Sequence, residues 1–599
     1  MRSPARVLNS LTKHSQTTEY RFERLYRILF NEEMYYLAYQ RIYAKPGNMT
    51  QGADGETIDR MSLPRIEKLI LSLKDESYSP QPSRRVHIPK KNGKTRPLGV
   101  PSFDDKLVQE VVRMVLEAIY EGHFEDTSHG FRPHRSCHTA LNAVQKTFTG
   151  KKWFIEGDIK GFFDNVNHNI LIDILKERIS DERFIRLIRK FLKAGYLEQW
   201  QFHGTYSGMP QGGIISPILA NIYLDKLDKY MKEYASKFDK GDRGRQQREY
   251  EVLTYQKRLV MRELKTATNN VERKVLVNRL KEIDKTRSAM PCFDPMDGNF
   301  KRLKYVRYAD DFLIGIIVSK VKIKDDIKRF LADRLALELS DEKTLVTHTE
   351  KPAKFLGYEV TVRKSNLQKR NKRGSLSRVY GNKVRLKVTT EVIKKKLLEL
   401  GVLKFSYHNG HEQWIPKHRS ELINNDDLEI LDSYNAEIRG FYNYYSIANN
   451  ASELNTFHYI MQYSMYKTFA GKYRTTVRRI CRKYKRNGVF TVGYTVKNGK
   501  AKERRLYNEG FKRKRPSYDR LIDRCPNPMP GVSTTSLIDR LKARKCELCG
   551  ATDNLVMHHV RKLGELKGKE NWEKLMIARR RKAMAVCGSC HQKIHHGTF

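Results

Sequence analysis

Tyr308-Ala309-Asp310-Asp311 sets two carboxylates side by side, between a basic stretch at 304–307 and an apolar run at 312–318. Apolar, β-branched and aromatic residues flanking a short polar tip predict a β-hairpin with its acids at the turn. Adjacent carboxylates raise each other's pKa unless a cation keeps both ionised. Hard oxygen ligands suit Mg²⁺, which retains waters and takes substrate phosphates as further ligands. Standing alone, the tetrapeptide would read better as an acidic turn on a surface hairpin. It has company: a second predicted strand, 152–159, carries Asp158 near its end, and Gly161-Phe162-Phe163-Asp164 follows. Phosphoryl transfer between two cations needs carboxylates converging from separate strands, one ion activating the attacking hydroxyl and the other stabilising the departing pyrophosphate. Asp158, Asp310 and Asp311 supply that set.

A second cluster lies in the tail. Cys546-x-x-Cys549 and Cys587-x-x-Cys590 present four thiolates at zinc spacing, with His558-His559 between the pairs. Eight cysteines in 599 residues make no disulfide scaffold and point to metal in a reducing compartment. Cys137 and its neighbouring histidines lack a second ligand pair and are assigned to structure.

Other stretches could position a phosphorylated substrate. Residues 84–99 form a predicted strand, an Asn92-Gly93 turn and a second strand, whose basic side chains would clamp a triphosphate or remain a solvated basic hairpin. Gly208-Met209-Pro210-Gln211-Gly212-Gly213-Ile214-Ile215-Ser216-Pro217 is a glycine-rich loop feeding a helix, with Ser216 expected as its cap. Its glycines allow close backbone approach, and Gln211 could hydrogen-bond near a forming base pair.

The elements that must carry these residues follow from periodicity. Helices are predicted over 22–43, 63–73, 103–121 and 181–197, the last capped by Asp181. Residues 230–300 form a long, charged insertion, predicted as a helical hairpin breaking at Asn269-Asn270. Its charges suit a solvated face better than specific RNA contact. Residues 385–478 form a predicted helical module in which aromatics alternate with basic residues, about half of them core and the rest free to stack on RNA. Basic clusters from Arg478 to Arg515 make a DNA-binding arm plausible.

A net charge of +47 calls for a large polyanionic partner, and nucleic acid fits better than a membrane surface. Apolar runs are too short to span a bilayer, and no secretory signal opens the chain. The first eighteen residues are basic and free of acids, a slight likeness to an organellar transit peptide.

The Asp-x-x-x-x-Phe stretch and the Tyr-x-Asp-Asp hairpin resemble the palm of reverse transcriptases. Pro210-Gln211-Gly212-x-x-x-Ser216-Pro217 resembles the group II intron and retron branch, and Ser128 to Pro133 its template-side motif. The resemblance implies that Asp158, Asp310 and Asp311 hold Mg²⁺ and that Phe163 gates against a ribose 2′-hydroxyl. By the same likeness Arg84, Lys90 and Arg96 would grip the nucleotide beside Gln211, Lys343 would protonate pyrophosphate, and 355–358 would form a primer grip. Residues 437–445 and 463–470 resemble domain X, the thumb of group II intron maturases, which implies RNA contacts at Arg439, Asn443, Tyr444, Tyr445 and Lys467. The tail resembles an HNH nuclease: the likeness implies that His558, His591 and His595 hold its metal, Mg²⁺ as in the palm, that His559 activates water, and that Cys546, Cys549, Cys587 and Cys590 hold structural zinc. A purely structural zinc module is the alternative. The central Asn of such motifs has no counterpart, since Lys582 stands near its place and Asn571 lies upstream.

Together these features resemble group II intron-encoded proteins of the lactococcal type. The expected fold is multidomain α+β: a right-hand polymerase with fingers and an antiparallel palm sheet (1–365), an α-helical thumb or domain X (366–478), a basic DNA-binding domain (479–540) and a ββα-metal HNH module (541–599). The implied partners are the chain's own intron RNA, double-stranded target DNA and dNTPs. The implied work is assisted splicing, nicking of target DNA and target-primed synthesis of intron cDNA, in a bacterial cytoplasm near the nucleoid or, alternatively, in an organelle. A splicing-only maturase and a free-standing retron-like reverse transcriptase are the rival readings.

Overall fold

The computed structural model describes residues 2–43, 47–89, 95–199, 201–294, 297–317, 321–363, 367–370, 374, 376–378, 382–495, 501–518 and 537–597. At its centre is a four-stranded antiparallel sheet ordered Arg302–Tyr308, Asp311–Ile317, Trp153–Asp158, Leu345–His348. The strand Asp311–Ile317 is buried along most of its length, as a central strand covered on both faces must be. Alternation along the strands sorts side chains between two cores. Ile155, Tyr305, Phe312, Ile314 and Ile316 face the helices of the fingers and palm, whereas Phe154, Val306 and Leu313 face the thumb side.

The buried helix Phe103–Tyr120 and the long helix Ser216–Phe238 back the first face. Helix Glu182–Lys193 starts at the predicted cap, Asp181, whose carboxylate accepts from the backbone N–H groups of Arg183 and Phe184 at 3.0 and 3.1 Å. The fingers sheet runs Thr95–Val100, Ser83–Pro89, Tyr196–Glu198, Gln201–His203. Of the aromatic segment expected as one helix over 22–43, only Glu32–Ile42 is α-helical, preceded by the short 3-10 turn Tyr26–Phe30. The acid-poor start of the chain folds into helix Pro4–Ser15, which lays Leu8 and Leu11 on the fingers core.

The insertion is the expected hairpin, Arg248–Thr266 and Asn270–Ala289, with Asn269 capping the second helix. It closes on itself through a small core of Val260, Ala267, Leu276 and Ile283 and a Lys257–Asp284 ion pair at 2.6 Å. Its start moves from 230 to 239, because Tyr230, Met231, Tyr234 and Phe238 still pack on the palm core and the Lys240–Lys301 bridge marks the neck.

The thumb side is less purely helical than expected. Helices Thr390–Glu399, Asp427–Tyr445 and Leu454–Lys472 are joined by the hairpin Leu403–His408/His411–Pro416. The separate arm expected from 479 does not begin there. Ile480, Tyr484, Phe490, Val492, Leu506, Tyr507 and Phe511 are buried in the same core as the thumb helices, so the thumb unit continues through about residue 511. Most of the proposed remainder, 519–536, lies outside the described residues.

In the tail, strands Leu555–His559 and Ala583–Cys587 pair antiparallel and helix Gly588–His596 packs on them, giving the ββα outline. Strand alternation again divides the side chains. Met584 and Val586 face the module's own core, whereas Met557, Ala583 and Ala585 join the fingers core with Leu537, Ile538 and Leu541. The module is therefore docked on the fingers.

Candidate active sites

The palm site is assembled by strand register. Asp158, the last residue of its strand, pairs across the sheet with Asp311, the first residue of the neighbouring strand. Between Tyr308 and Asp311 the chain turns through Ala309, whose φ of +56° needs external support. Arg307 provides it. This fully buried guanidinium donates to the Ala309 carbonyl at 2.8 Å and to Ser128 Oγ at 2.7 Å, and grips Asp228 through Nε at 2.8 Å and Nη2 at 2.5 Å. Tyr305 donates to the same carboxylate at 2.9 Å. Gly130 fits beneath the turn, where a Cβ would come within 2.3 Å of the Ala309 nitrogen.

The Lys343 ammonium sits 2.6 Å from Asp158 Oδ2, and the bond holds its pKa above the ordinary lysine value. Enclosure in the cleft, and then the charge of Asp158, push the Asp310 carboxyl up, against the pull of Arg96 and Lys343. Asp311 is pushed up by the same enclosure and by the charges of Asp310 and Asp158. Two carboxyls pushed up beside a third carboxylate fit a site for cations. In each of the two ligand clusters of the tail, all four ligand atoms lie within 4.8 Å of one another.

The glycine-rich loop ties the nucleotide-side residues together. Arg96 Nε donates to Gln211 Oε1 at 2.8 Å, and Gly99 N donates to the Gln211 carbonyl at 2.7 Å. Gly212 has φ +118°, and a Cβ there would lie 2.4 Å from the Gly99 carbonyl oxygen, so the contact requires glycine. At the loop's other end Met209 N donates to the Phe163 carbonyl at 2.6 Å. Arg84 lies half-buried on the fingers hairpin, while Lys90 falls outside the described residues. Ser216 is not the helix cap: Ile215 holds that position, and Ser216 Oγ donates to the Pro210 carbonyl at 2.9 Å, folding the loop on itself.

Several thumb residues expected on RNA are engaged inside the protein. Tyr444 Oη donates to the Leu356 carbonyl at 3.0 Å and Tyr445 Oη to that of Gly357 at 3.4 Å, so both hold the 355–358 turn against the thumb. Lys467 Nζ donates to the Pro416 carbonyl at 2.8 Å. Asn443 is half-buried, its carbonyl accepting from Ser446, and Arg439 is exposed, 5.5 Å from the Tyr507 ring. Open aromatic surface lies instead at Tyr459 and Tyr463, whose rings are 4.6 Å apart and which are 52% and 37% exposed.

In the tail, Cys546, Cys549, Cys587 and Cys590 converge as a four-thiol set fit for zinc. His558, His591 and His595 also converge, and the fourth member of their cluster is Asp59, from the fingers. Asp59 Oδ2 lies 3.0 Å from His591 Nε2 and 2.8 Å from His595 Nε2. His558 is buried without a hydrogen bond at either ring nitrogen, the condition of an imidazole shaped for a metal. Burial holds the His558 pKa down near 4 and that of His559 near 3, which favours neutral imidazoles at both positions. His559 is covered: its Nε2 meets Tyr39 Oη at 3.1 Å. Asn571 opens helix Asn571–Arg579, and the carbonyl of Lys582 accepts from Val560 N.

Comparison with known proteins agrees with this division. The reverse transcriptase (RNA-dependent DNA polymerase) family matches 88–255, the type II intron maturase family 382–515, and the AI2M/AI1M-like HNH endonuclease family 546–591. The chain is thus an RNA-directed DNA polymerase that also carries an HNH endonuclease domain. The group II intron-encoded protein LtrA of Lactococcus lactis subsp. cremoris is 43% identical over 606 residues, covering 100% of both chains. The putative COX1/OXI3 intron 1 protein of Saccharomyces cerevisiae is 34% identical over 96% of this chain and 69% of its own length. The chain belongs to the group II intron-encoded protein family, multifunctional proteins of intron splicing and mobility.

Proposed function

We propose that this protein binds the RNA of its own group II intron, promotes its splicing, and copies the intron into DNA from an end produced by its own nuclease. The observation that carries the polymerase half is the register placing Asp158 opposite Asp311 beside the braced turn at Ala309 and Asp310. Two Mg²⁺ ions held by Asp158, Asp310 and Asp311 would supply charge stabilisation to the attacking and departing oxygens. Arg84 and Arg96, and by the sequence likeness Lys90, would bind the phosphates of the nucleotide, with Phe163 and Gln211 beside the new base pair. Lys343, already protonated beside Asp158, delivers a proton to pyrophosphate.

The thumb and the exposed basic face of helix Val477–Tyr484, with Arg478, Arg479, Arg482 and Lys483, neutralise intron RNA. His558, His591 and His595 would hold the nuclease cation, which would supply charge stabilisation at the scissile phosphate, and His559 would take the proton from water. The four cysteines would hold a structural zinc, which would fix the strand and helix bearing those histidines. Substrates on this reading are dNTPs, the intron RNA as template and double-stranded target DNA.

Separation of function tests it. Asp310→Ala should abolish cDNA synthesis while splicing and nicking persist; His559→Ala should stop nicking while extension of a supplied primer persists. DNA synthesis surviving in Asp310→Ala would contradict the palm assignment, and nicking in His559→Ala would place the base elsewhere. Unchanged RNA splicing with and without protein would favour a free-standing polymerase.

A further inference from the structure

The histidine cluster of the tail has a fourth member that no nuclease motif supplies. Asp59 lies about five hundred residues upstream, in the fingers, yet its carboxylate enters the cluster with ligand atoms mutually within 4.8 Å. Its Oδ2 faces two imidazole Nε2 atoms, and its Oδ1 accepts from the backbone N–H of His559 at 2.8 Å while lying 3.7 Å from His558 Nδ1. Both nitrogens of the buried His558 ring lack hydrogen bonds, so the pocket is one ligand short of satisfied. A divalent cation would complete it: three imidazoles and one carboxylate make a full tetrahedral set, which leaves no open position.

The fingers also cover the base. His559 Nδ1 is 3.4 Å from the Met557 carbonyl, which can only accept, so Nε2 is the free lone pair, and the Tyr39 hydroxyl donates to it at 3.1 Å. An attacking water would need that place. The contact is built into the backbone: Arg60 N donates to the Met557 carbonyl at 3.1 Å, and Met557 N to the Met61 carbonyl at 2.8 Å. Lys542 adds an ion pair to Glu33 at 3.1 Å. A carboxylate at the cation and a hydroxyl at the base occupy the two positions that a scissile phosphate and its water would take.

We propose that Asp59 is a fourth ligand of the nuclease cation, donated by the fingers, and that together with Tyr39 it holds the nuclease closed until target DNA displaces both. The ligand role stands on the geometry; the closed state rests also on the tail being a nuclease, as proposed above. DNA phosphate, the hard anionic oxygen that replaces Asp59, must separate the strand Leu555–His559 from residues 59–61.

Cobalt titration tests the ligand directly. The full chain is loaded with one equivalent of Zn²⁺ to fill the cysteine site, then titrated with Co²⁺ while the visible absorption of tetrahedral cobalt is recorded. Subtraction of the His595→Ala spectrum removes any contribution from the palm carboxylates. Asp59→Asn, which keeps the size and the hydrogen bond from His559 N, should weaken cobalt binding at least tenfold and diminish the tetrahedral band; Asp59→Ala should do the same. Superimposable native and Asp59→Asn curves would overturn the proposal. Nicking of target duplex at saturating Mg²⁺ forms the second arm. Asp59→Asn and Tyr39→Phe should each nick several-fold faster than the native chain, and equal or slower nicking in both would overturn the closed state. No nicking in any variant, with the cobalt shift present, would contradict the nuclease reading and leave Asp59 as a ligand.

Discussion

The palm and the tail both gather metal-binding side chains, but they hold them in opposite ways. In the palm the ligands face an open cleft and the framework beneath them is rigid: Arg307 is fully buried, satisfied by Asp228, Ser128 and the Ala309 carbonyl. In the tail the ligands are tightly clustered and mostly buried, with Cys549 and His595 exposed, while both strands of the module lean on the fingers core. A polymerase site must admit a new nucleotide and release pyrophosphate each cycle, which suits an open cleft on a stiff sheet. A nuclease needs to act once per target, which suits a site that can stay covered.

Disabling the proposed zinc site of the tail should have the largest effect of the tests that separate the two. Cys590→Ser takes one of the four ligands and chelation takes the metal, whose binding supplies on the order of 10 kcal/mol of folding free energy in small zinc modules. Nicking should disappear and protease cleavage after 540 should accelerate, while primer extension persists. Equal loss of both activities would show that the tail and palm fold as one unit.

Lys343→Ala comes next, with an expected fall of about 10² to 10⁴ in the single-turnover rate of nucleotide addition, the usual span for a general acid. Since the bond to Asp158 raises the Lys343 pKa, the native rate should decline only at high pH, and that basic limb should vanish in the variant. A retained limb would assign it to another group.

Arg307→Met tests the framework instead of the ligands. Breaking a buried ion pair and leaving Asp228 uncompensated costs about 3–5 kcal/mol, so the palm should unfold at lower denaturant while the tail's resistance to proteolysis changes little. Stability equal to the native chain would refute the bracing role of Arg307.

The smallest effect is expected on the thumb. Tyr459→Ala and Tyr463→Ala should each weaken intron RNA binding by about 1–3 kcal/mol if a base stacks on them, with no change in extension of a short primer. Tyr445→Ala should loosen the 355–358 turn and impair extension instead.

What could be read from the chain alone was what lies close together in it. The acidic hairpin, the glycine-rich loop, the paired cysteines and the Asn269 cap each occupy a few consecutive residues, so local periodicity and turn chemistry reveal them. Arg307 passed as part of a basic flank because its partner, Asp228, sits on a helix 79 residues away, with nothing local to show that the pair is buried. Asp59 was still less visible, being an ordinary acid in a turn-rich segment until docking brings three histidines to it. The tyrosines at 444 and 445 misled for a related reason: an aromatic beside basic residues has the same spacing whether its hydroxyl meets RNA or a carbonyl of the palm. The arm expected from 479 was drawn on charge, yet its alternating apolar residues belong to the thumb core.

Crystals of the full chain soaked with Mn²⁺ and a non-hydrolysable dNTP would test the central assignment most directly. Anomalous peaks should lie on the carboxylates of Asp158, Asp310 and Asp311, with the Lys343 ammonium released from Asp158 toward the phosphates. An ordered nucleotide with no manganese on those three residues would contradict it.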